Sequence, residues 1–246
     1  MRRVPASSGT SPWPSGTFLE RLSEPSRQAL LALGVTRTYP ADHVLIRQGD
    51  AGNLVFVLIH GLVKVTARTE NGKEALLAVR VRGDVIGDMA VLDGSARSAT
   101  ALTCGATVTE LIKGEVFLEY LRRYPSATLT LSTLISDRLR WANQRRLEFA
   151  GYDSDVCLAR LLLAVAARHG RLGPEGVDLG VPLTQIELGG LIGAKESTVQ
   201  KILRALSARG LVRTGHRRVI VTDLEGLAAF ANLPPLPLGN HPAKPY

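Results

Sequence analysis

The spacing of apolar residues along this chain changes character several times, and the changes mark out its parts. Between Thr17 and Leu33, Phe18, Leu19, Leu22, Leu30 and Leu31 recur at helical intervals, which predicts a helix. From Tyr39 to Leu111 the apolar residues gather instead in short runs separated by turn residues. Val44–Ile46 precedes Gly49-Asp50, Leu54–Ile59 precedes Gly61, and Leu62–Ala67 precedes Asn71-Gly72, a strong hairpin signal. Leu76–Val81 leads to Gly83-Asp84, and Gly105 parts Ala99–Cys104 from Ala106–Ile112. Strands this short and evenly spaced predict a sandwich or barrel-like roll of antiparallel strands.

Beyond Gly114 the helical period returns and holds to about Phe149. Leu131, Ile135, Arg138, Ala142, Arg145 and Phe149 alternate steps of four and three. That heptad spacing suits a helix paired with a second copy of itself across a dimer axis. Two positions on the seam are arginine. Either they snorkel out to water or an anion awaits them. Asp153–His169 reads as a further amphipathic helix, with Val156, Leu158, Leu161, Leu162 and Val165 inward. Leu172–Pro182 reads as a Gly/Pro-bearing connection.

The window Gln185–Arg204, QIELGGLIGAKESTVQKILR, has the pattern of two short helices crossing over a tight turn. Leu188, Ile192, Val199 and Ile202 take the inward positions. Gly189 falls where the helices approach, and Gly193 at the turn. Thr184 through Glu187 forms a capping box, which fixes where the first helix begins. In the second helix Val199, Ile202, Leu203 and Leu206 make the inward stripe, leaving Ser197, Gln200, Lys201 and Arg204 opposite. Gln pairs with adenine edges and Lys with guanine acceptors, whereas Ser discriminates less. Gly210–Val212 and Val219–Val221 flank a turn at Gly215 as a small wing. Its Arg213, Arg217 and Arg218 suit phosphates, which position without specifying.

Charge strengthens this reading. The chain of 246 residues carries a formal +8. Between Gly193 and Arg218 stand seven Lys or Arg against one acid, Glu196, as phosphate neutralisation requires. No apolar run approaches the ~18 residues of a membrane span. Arg2 and Arg3 are followed by a Pro, Ser and Gly rich stretch without the apolar core of a secretory signal, so a cytoplasmic address and no membrane partner are expected. Cys104 and Cys157 lack CxxC spacing and cannot supply four thiolates; both read as small buried residues. No metal site is expected. No nucleophile–His–acid set or paired general acid and base is present, so no enzymatic role is expected.

Between the strands, Gly83-Asp84-Val85-Ile86-Gly87-Asp88-Met89-Ala90 is followed by Leu92-Asp93-Gly94-Ser95-Ala96-Arg97-Ser98-Ala99-Thr100. A glycine-bearing turn into a short helix exposes backbone N–H groups that suit an anion. Arg97 adds a forked, charge-assisted contact and Ser98 a hydroxyl, and Asp88 could accept from a sugar hydroxyl. An ordinary β-turn would use the same residue types.

A strand roll, the GDVIGDMAVLDGSARSATA stretch, a long helix and LTQIELGGLIGAKESTVQKILRAL, in this order, resemble the cyclic-AMP receptor protein / fumarate–nitrate regulator (CRP/FNR) family of bacterial transcription factors. The resemblance covers about residues 17–225. It implies an α+β chain: an N-terminal cyclic-nucleotide-binding-like β-roll (17–114), a dimerisation helix region (115–151) and a C-terminal winged helix-turn-helix (152–228). A disordered tail (1–16) and a Pro-rich tail (229–246) flank them. It also implies an effector pocket. Gly87 and Asp88 match the family's Gly-Glu pair, with Met89 beside them, and Arg97 and Ser98 match the pair that holds the cyclic phosphate. Arg138 matches an arginine that reaches the same pocket, and Ala142 and Asn143 match the polar residues that meet the adenine. Thr184, Gln185, Lys195, Glu196, Ser197, Thr198, Gln200, Lys201, Arg204, Arg217 and Arg218 fall on the DNA-reading face.

Departures from the family pattern are specific. Asp88 is one methylene shorter than the usual Glu, the stretch from Gly87 to Arg97 is one residue short, and Ala142 offers no hydroxyl. The usual Ser-Arg-Glu opening of the reading helix is Lys195-Glu196-Ser197 here, which points away from the family's usual operator. The implied function is a homodimeric, sequence-specific transcription regulator of double-stranded DNA, with RNA polymerase a partner if it activates. No cofactor is obligatory, and a cyclic nucleotide such as cyclic AMP is the implied effector. The alternative is a regulator of the same family that needs no ligand or senses a redox or haem signal, for which His43, His60 and Cys104 are candidate axial ligands.

Overall fold

A computed structural model describes residues 11–234 except Lys73. The N-terminal part is a roll of two four-stranded antiparallel sheets. Strands β1 (Val35–Tyr39), β2 (Val44–Ile46), β3 (Leu54–His60), β4 (Leu62–Arg68), β5 (Glu74–Val81), β6 (Val85–Ile86), β7 (Thr100–Thr103) and β8 (Thr107–Lys113) build it. They are ordered β1-β8-β3-β6 in one sheet and β2-β7-β4-β5 in the other. Gly72 at φ 78° turns β4 into β5, as the Asn-Gly pair predicts. Polar, exposed β1 carries no apolar alternation and is invisible to the pattern; it is held by pairing with β8 from Val35↔Leu111 to Tyr39↔Thr107.

The predicted N-terminal helix is two: α1 (Phe18–Arg21) and α2 (Glu24–Leu31). Ser23 caps the second, its hydroxyl accepting from Ser26 N, and Pro25 suits a first turn where its missing N–H costs nothing. Residues 11–16, expected to trail, instead pack. Trp13 lies against the roll core under the Arg82 guanidinium, and Thr17 N donates to Pro14 O. Residues 1–10 lie outside the described residues. A short α3 (Asp88–Asp93) follows β6, starting from Gly87 at φ 86°.

After β8, the helical stretch breaks once, at Tyr124-Pro125, into α4 (Gly114–Arg123) and the 27-residue α5 (Pro125–Gly151). The predicted heptad seam is not one face. Leu131, with Ala127 and Leu134, is buried in the core shared with α1 and the roll; Arg138 turns into the roll, and Arg145 pairs with Glu148 at 2.7 Å. Ala142 and Phe149 remain exposed, as do Leu129, Leu139 and Leu147 on the side turned from the roll. The pattern mixes two faces because this helix buries one of them against its own chain.

The C-terminal part comprises α6 (Ser154–His169), a hairpin β9 (Arg171–Gly173) and β10 (Gly176–Asp178), then α7 (Gln185–Ile192) and α8 (Glu196–Ala208). A wing of β11 (Val212–Gly215) and β12 (Arg218–Val221) and a last helix α9 (Leu224–Phe230) complete it. The predicted Leu172–Pro182 connection is therefore partly strand, and it extends the wing into the sheet β11-β12-β10-β9. Residues 231–233, assigned from sequence to a tail, are packed: Ala231 is fully buried, and its carbonyl accepts from Arg160 Nε at 2.9 Å. Residues 235–246 lie outside the described residues. Fully buried Leu158, Leu161, Leu162, Leu188 and Val199 form the core here, each contributing roughly 1.5–3 kcal/mol by burial.

Candidate functional site

Two sites lie back to back across the β4–β5 hairpin. In the roll, one cavity of about 90 Å3 is lined by Gly87, Asp88, Met89, Arg97, Ser98 and Arg138, with Arg80 and Val65 from the hairpin. The structure thus gathers six of the eight sequence-predicted effector residues. Ala142 and Asn143 are exposed further along α5 and do not line it.

Each charged wall is already held by the protein. Arg97 donates from Nη1 to Gly87 O at 2.8 Å and from Nη2 to Leu54 O at 2.7 Å. Room for that guanidinium exists because two neighbours lack a side chain. A Cβ on Gly52 would sit 2.0 Å from Arg97 Nε, and one on Gly87 would sit 2.7 Å from its Nη1. Gly52 carried no signal in the sequence beyond being a glycine in a loop. Asp88, 3% exposed, accepts from Arg138 Nη1 at 2.9 Å, while Arg138 Nη2 donates to Val85 O at 2.9 Å. One arginine of the presumed seam therefore crosses from α5 to the roll, which accounts for its place in the heptad. The residues present, two forked cations and a carboxylate around one cavity at the start of α3, are a donor set that fits a phosphate and a hydroxyl. The cavity as it stands is narrower than the 300 Å3 or more typical of small-molecule sites, so a nucleotide requires Met89, 51% exposed, and its neighbours to move.

The other site is the reading head. Thr184 caps α7: its hydroxyl accepts from Glu187 N at 3.2 Å, and Glu187 Oε2 accepts from Thr184 N at 2.7 Å. The Thr184 hydroxyl is thereby engaged in the cap and donates to Glu187 at 2.9 Å. Gly193 closes α7 at φ 66°, a left-handed position. A Cβ on Gly189 would lie 2.5 Å from Ala194 O, so only glycine lets α7 and the turn approach this closely. On α8, Val199, Ile202, Leu203 and Leu206 are buried, while Lys195, Glu196, Ser197, Gln200, Lys201 and Arg204 are exposed and Thr198 half-buried. Lys195 at the N-cap makes no side-chain capping bond.

The wing is less basic in space than in sequence. Arg213 pairs with Glu175 and Arg218 with Asp178, both acids contributed by the β9–β10 hairpin. Burial works against the Asp178 carboxyl, but the Gly180 N–H and Arg218 hold it below its ordinary range. Arg217, at φ 52° in the wing turn, is exposed and makes no ion pair among the described residues.

Sequence reasoning missed the contact that joins the two sites. Lys64 of β4 reads as the polar member of a Val-Lys-Val alternation, yet it is 3% exposed, with its Nζ 2.7 Å from Glu187 Oε1. The carboxylate that caps α7 is the one that pairs with the roll. Beside it Gly190 approaches the β5 backbone, where a Cβ would come within 3.1 Å of Leu76 N, and Leu76 belongs to the reading head's hydrophobic core. Cys104, half-buried rather than buried, lies near this junction; burial raises its thiol, and the Lys64 charge opposes that. Cys157 is buried beneath α5, its Sγ 3.3 Å from Glu148 O. Of the haem candidates, His43 lies beside Tyr39, the two rings tilted with centroids 5.0 Å apart, and His60 is exposed. Among the described residues no three His, Cys, Asp or Glu side chains gather as metal ligands, and no helix is long and apolar enough to cross a membrane.

A phosphate-suited roll on a long helix that carries a winged helix-turn-helix defines a DNA-reading transcription regulator. Residues 36–124 match the cyclic nucleotide-binding domain model, and residues 158–230 match the Crp-like helix-turn-helix domain model. The cyclic AMP receptor protein of Thermus thermophilus is 31% identical over 79% of this chain and 87% of its own length. A CRP-like cAMP-activated global transcriptional regulator of Mycobacterium tuberculosis is 27% identical over 78% of this chain and 86% of its own. The solved c-di-GMP responsive global regulator CLP of Xanthomonas campestris shares the fold, with a TM-score of 0.72 over 82% of this chain and all of that one at 20% identity. The chain belongs to the CRP/FNR family of transcription regulators and binds DNA through its helix-turn-helix.

Proposed function

We propose that two copies of this chain pair along the exposed side of α5 and read two half-sites of one operator. A phosphate-bearing effector of the cyclic-nucleotide class, in the roll cavity, biases how the heads are held. A relative named as cAMP-activated and another named as a cyclic AMP receptor protein are consistent with this effector class. A single helix-turn-helix offers few base contacts, and a dimer doubles them with a fixed half-site spacing. Exposed Leu129, Leu139 and Leu147 give α5 an apolar strip for that pairing. Gln200 and Lys201 take base edges, while Arg204 and Arg217 take phosphates.

One observation carries the coupling: the β4–β5 hairpin lines the effector cavity with Val65 and Arg80, and holds α7 with Lys64 and Leu76. A ligand that shifts the hairpin acts directly on the head, and only its differential affinity for two head positions drives the change. Isothermal titration with cyclic AMP and cyclic GMP, paired with duplex-binding anisotropy with and without each nucleotide, tests this. Heat of binding with one nucleotide and a tighter operator complex in its presence are expected. Absence of heat with both overturns the effector assignment. A monomer in sedimentation, inert toward every duplex at low salt, overturns the whole proposal.

A second reading, a ligand-independent regulator, draws on the protein groups that already satisfy Arg97 and Asp88. It requires operator affinity that no nucleotide changes.

A further inference from the structure

The roll cavity holds a cation that neither the family motif nor the sequence pattern singles out. In β5 the register slips by one residue: Val65 faces Ala78, but the next pair is Thr66 with Leu76, so Leu77 is a bulge. The slip lets Leu76 and Val79 both face the reading head, while Arg80, opposite Val63, turns inward. There it lines the effector cavity with Arg97 and Arg138. It also lines a second, polar cavity of about 20 Å3, where Asp84 and Arg138 meet Arg168 and His169 from the end of α6.

Arg80 differs from its two neighbours in what it holds. Arg97 is spent on two carbonyls, and Arg138 on Asp88 and a carbonyl. Among the described residues Arg80 makes no hydrogen bond and no ion pair. Burial, then the like charge of Arg138, lowers its guanidinium pKa to about 10; Asp84 and Asp88 oppose that shift, and the Arg168 charge adds least to it. Three arginines and one aspartate line the cavity, an excess of two positive charges by that count. Arg80 is half-buried at the cavity wall, so its guanidinium keeps some solvent, and a ligand anion that reaches it gains a charge-assisted contact that no protein group already occupies.

Resting on the reading of this cavity as the effector site, we propose that Arg80 is a second anion contact. The cavity then selects phosphate ligands carrying two or more negative charges over a monoanionic cyclic phosphate. A single cyclic phosphate engages the Arg97 side and leaves the Arg80 charge in place. A second charge, as a terminal phosphate monoester or a condensed phosphate, neutralises Arg80 and lowers the repulsion among Arg80, Arg138 and Arg168 across the roll–head junction.

Adenosine 5′-monophosphate and cyclic AMP share base and sugar and differ by about one charge at pH 7.5, since the second phosphate pKa is about 6. Titration calorimetry on the full chain with these two ligands and with inorganic pyrophosphate compares them directly. In the wild type the dianion and pyrophosphate should bind at least about tenfold more tightly than cyclic AMP, the scale of one charge-assisted forked contact. Arg80→Gln should erase that ratio and Arg80→Lys should retain most of it, with thermal melts confirming that both variants fold. Arg97→Gln should weaken all the phosphate ligands together. A wild type that prefers cyclic AMP, or an Arg80→Gln variant that keeps the dianion preference while Arg97→Gln loses binding, overturns the Arg80 assignment and leaves the cavity intact. Failure of every probe to bind the wild type overturns the cavity reading and this inference with it.

Discussion

Replacing Lys64 with methionine should detach the reading head from the roll while leaving both folded. Methionine keeps the length and apolar body of the lysine and deletes its charge. The Nζ it removes is 2.7 Å from Glu187 in a position where Lys64 is 3% exposed. Breaking a fully buried ion pair from one side costs about 3–5 kcal/mol. Glu187 retains its bonds from Thr184 N and Oγ1 and a 21% exposed side chain, so the residual carboxylate is partly compensated. The expected loss is therefore about 1–3 kcal/mol. Glu187→Gln preserves a capping box but removes the charge, and the double variant should recover most of the loss, a coupling of about 1–2 kcal/mol. Urea unfolding of the four proteins gives the cycle, and native-state hydrogen exchange at the α7 amides reports whether the head opens. Burial raises the Glu187 carboxyl, but Lys64 and Thr184 outweigh it and hold it below its ordinary value. The contribution is thus fully present above the ordinary carboxylate range and disappears as pH falls through the depressed folded value. Additive single effects, each below about 0.5 kcal/mol, with unchanged α7 exchange, would refute the latch.

Gly189→Ala places a Cβ 2.5 Å from Ala194 O and should abolish duplex binding in anisotropy titrations, while the far-ultraviolet spectrum shows the roll folded. Lys195→Ser supplies the missing cap of α8 and should stabilise by about 1 kcal/mol, a rise of about 2–4 °C in melting temperature. His169 is kept neutral, its pKa lowered from 6.5 to about 4 by burial first and by Arg168 next. The unfolded chain therefore binds the extra proton between those values, so stability is full above pH 6.5 and falls as pH drops toward 4. The loss is bounded at about 3 kcal/mol, and His169→Phe should flatten that segment of a melting-temperature profile.

The reading head was legible in the sequence because its determinants are local. A capping box, a left-handed glycine and an i, i+3, i+4, i+7 stripe lie within two dozen residues and specify their own geometry. The hairpins were legible for the same reason. What escaped depended on distant partners. Polar β1 is a strand only because β8 lies beside it, and Lys64 is buried only because α7 covers it. The seam on α5 merged residues that pack on the roll with residues that face outward, since a heptad spacing does not say which surface claims each position. The effector residues were drawn from a motif, and six of them line one cavity; that Arg97 and Asp88 are already engaged there could not be read from types and spacing. Glu175 and Asp178, which temper the wing, sit in a segment read as a connection.

The extra residue at Leu77 makes one ribbon serve opposite neighbours. Were position 77 deleted, every side chain before it would trade sides relative to those after it. The arginine would then lie under the DNA-binding domain, or the leucine that domain grips would turn into the roll cavity. Hairpin length in this protein therefore decides which neighbour each of these side chains meets, and an insertion or deletion there should exchange them even where each half still folds.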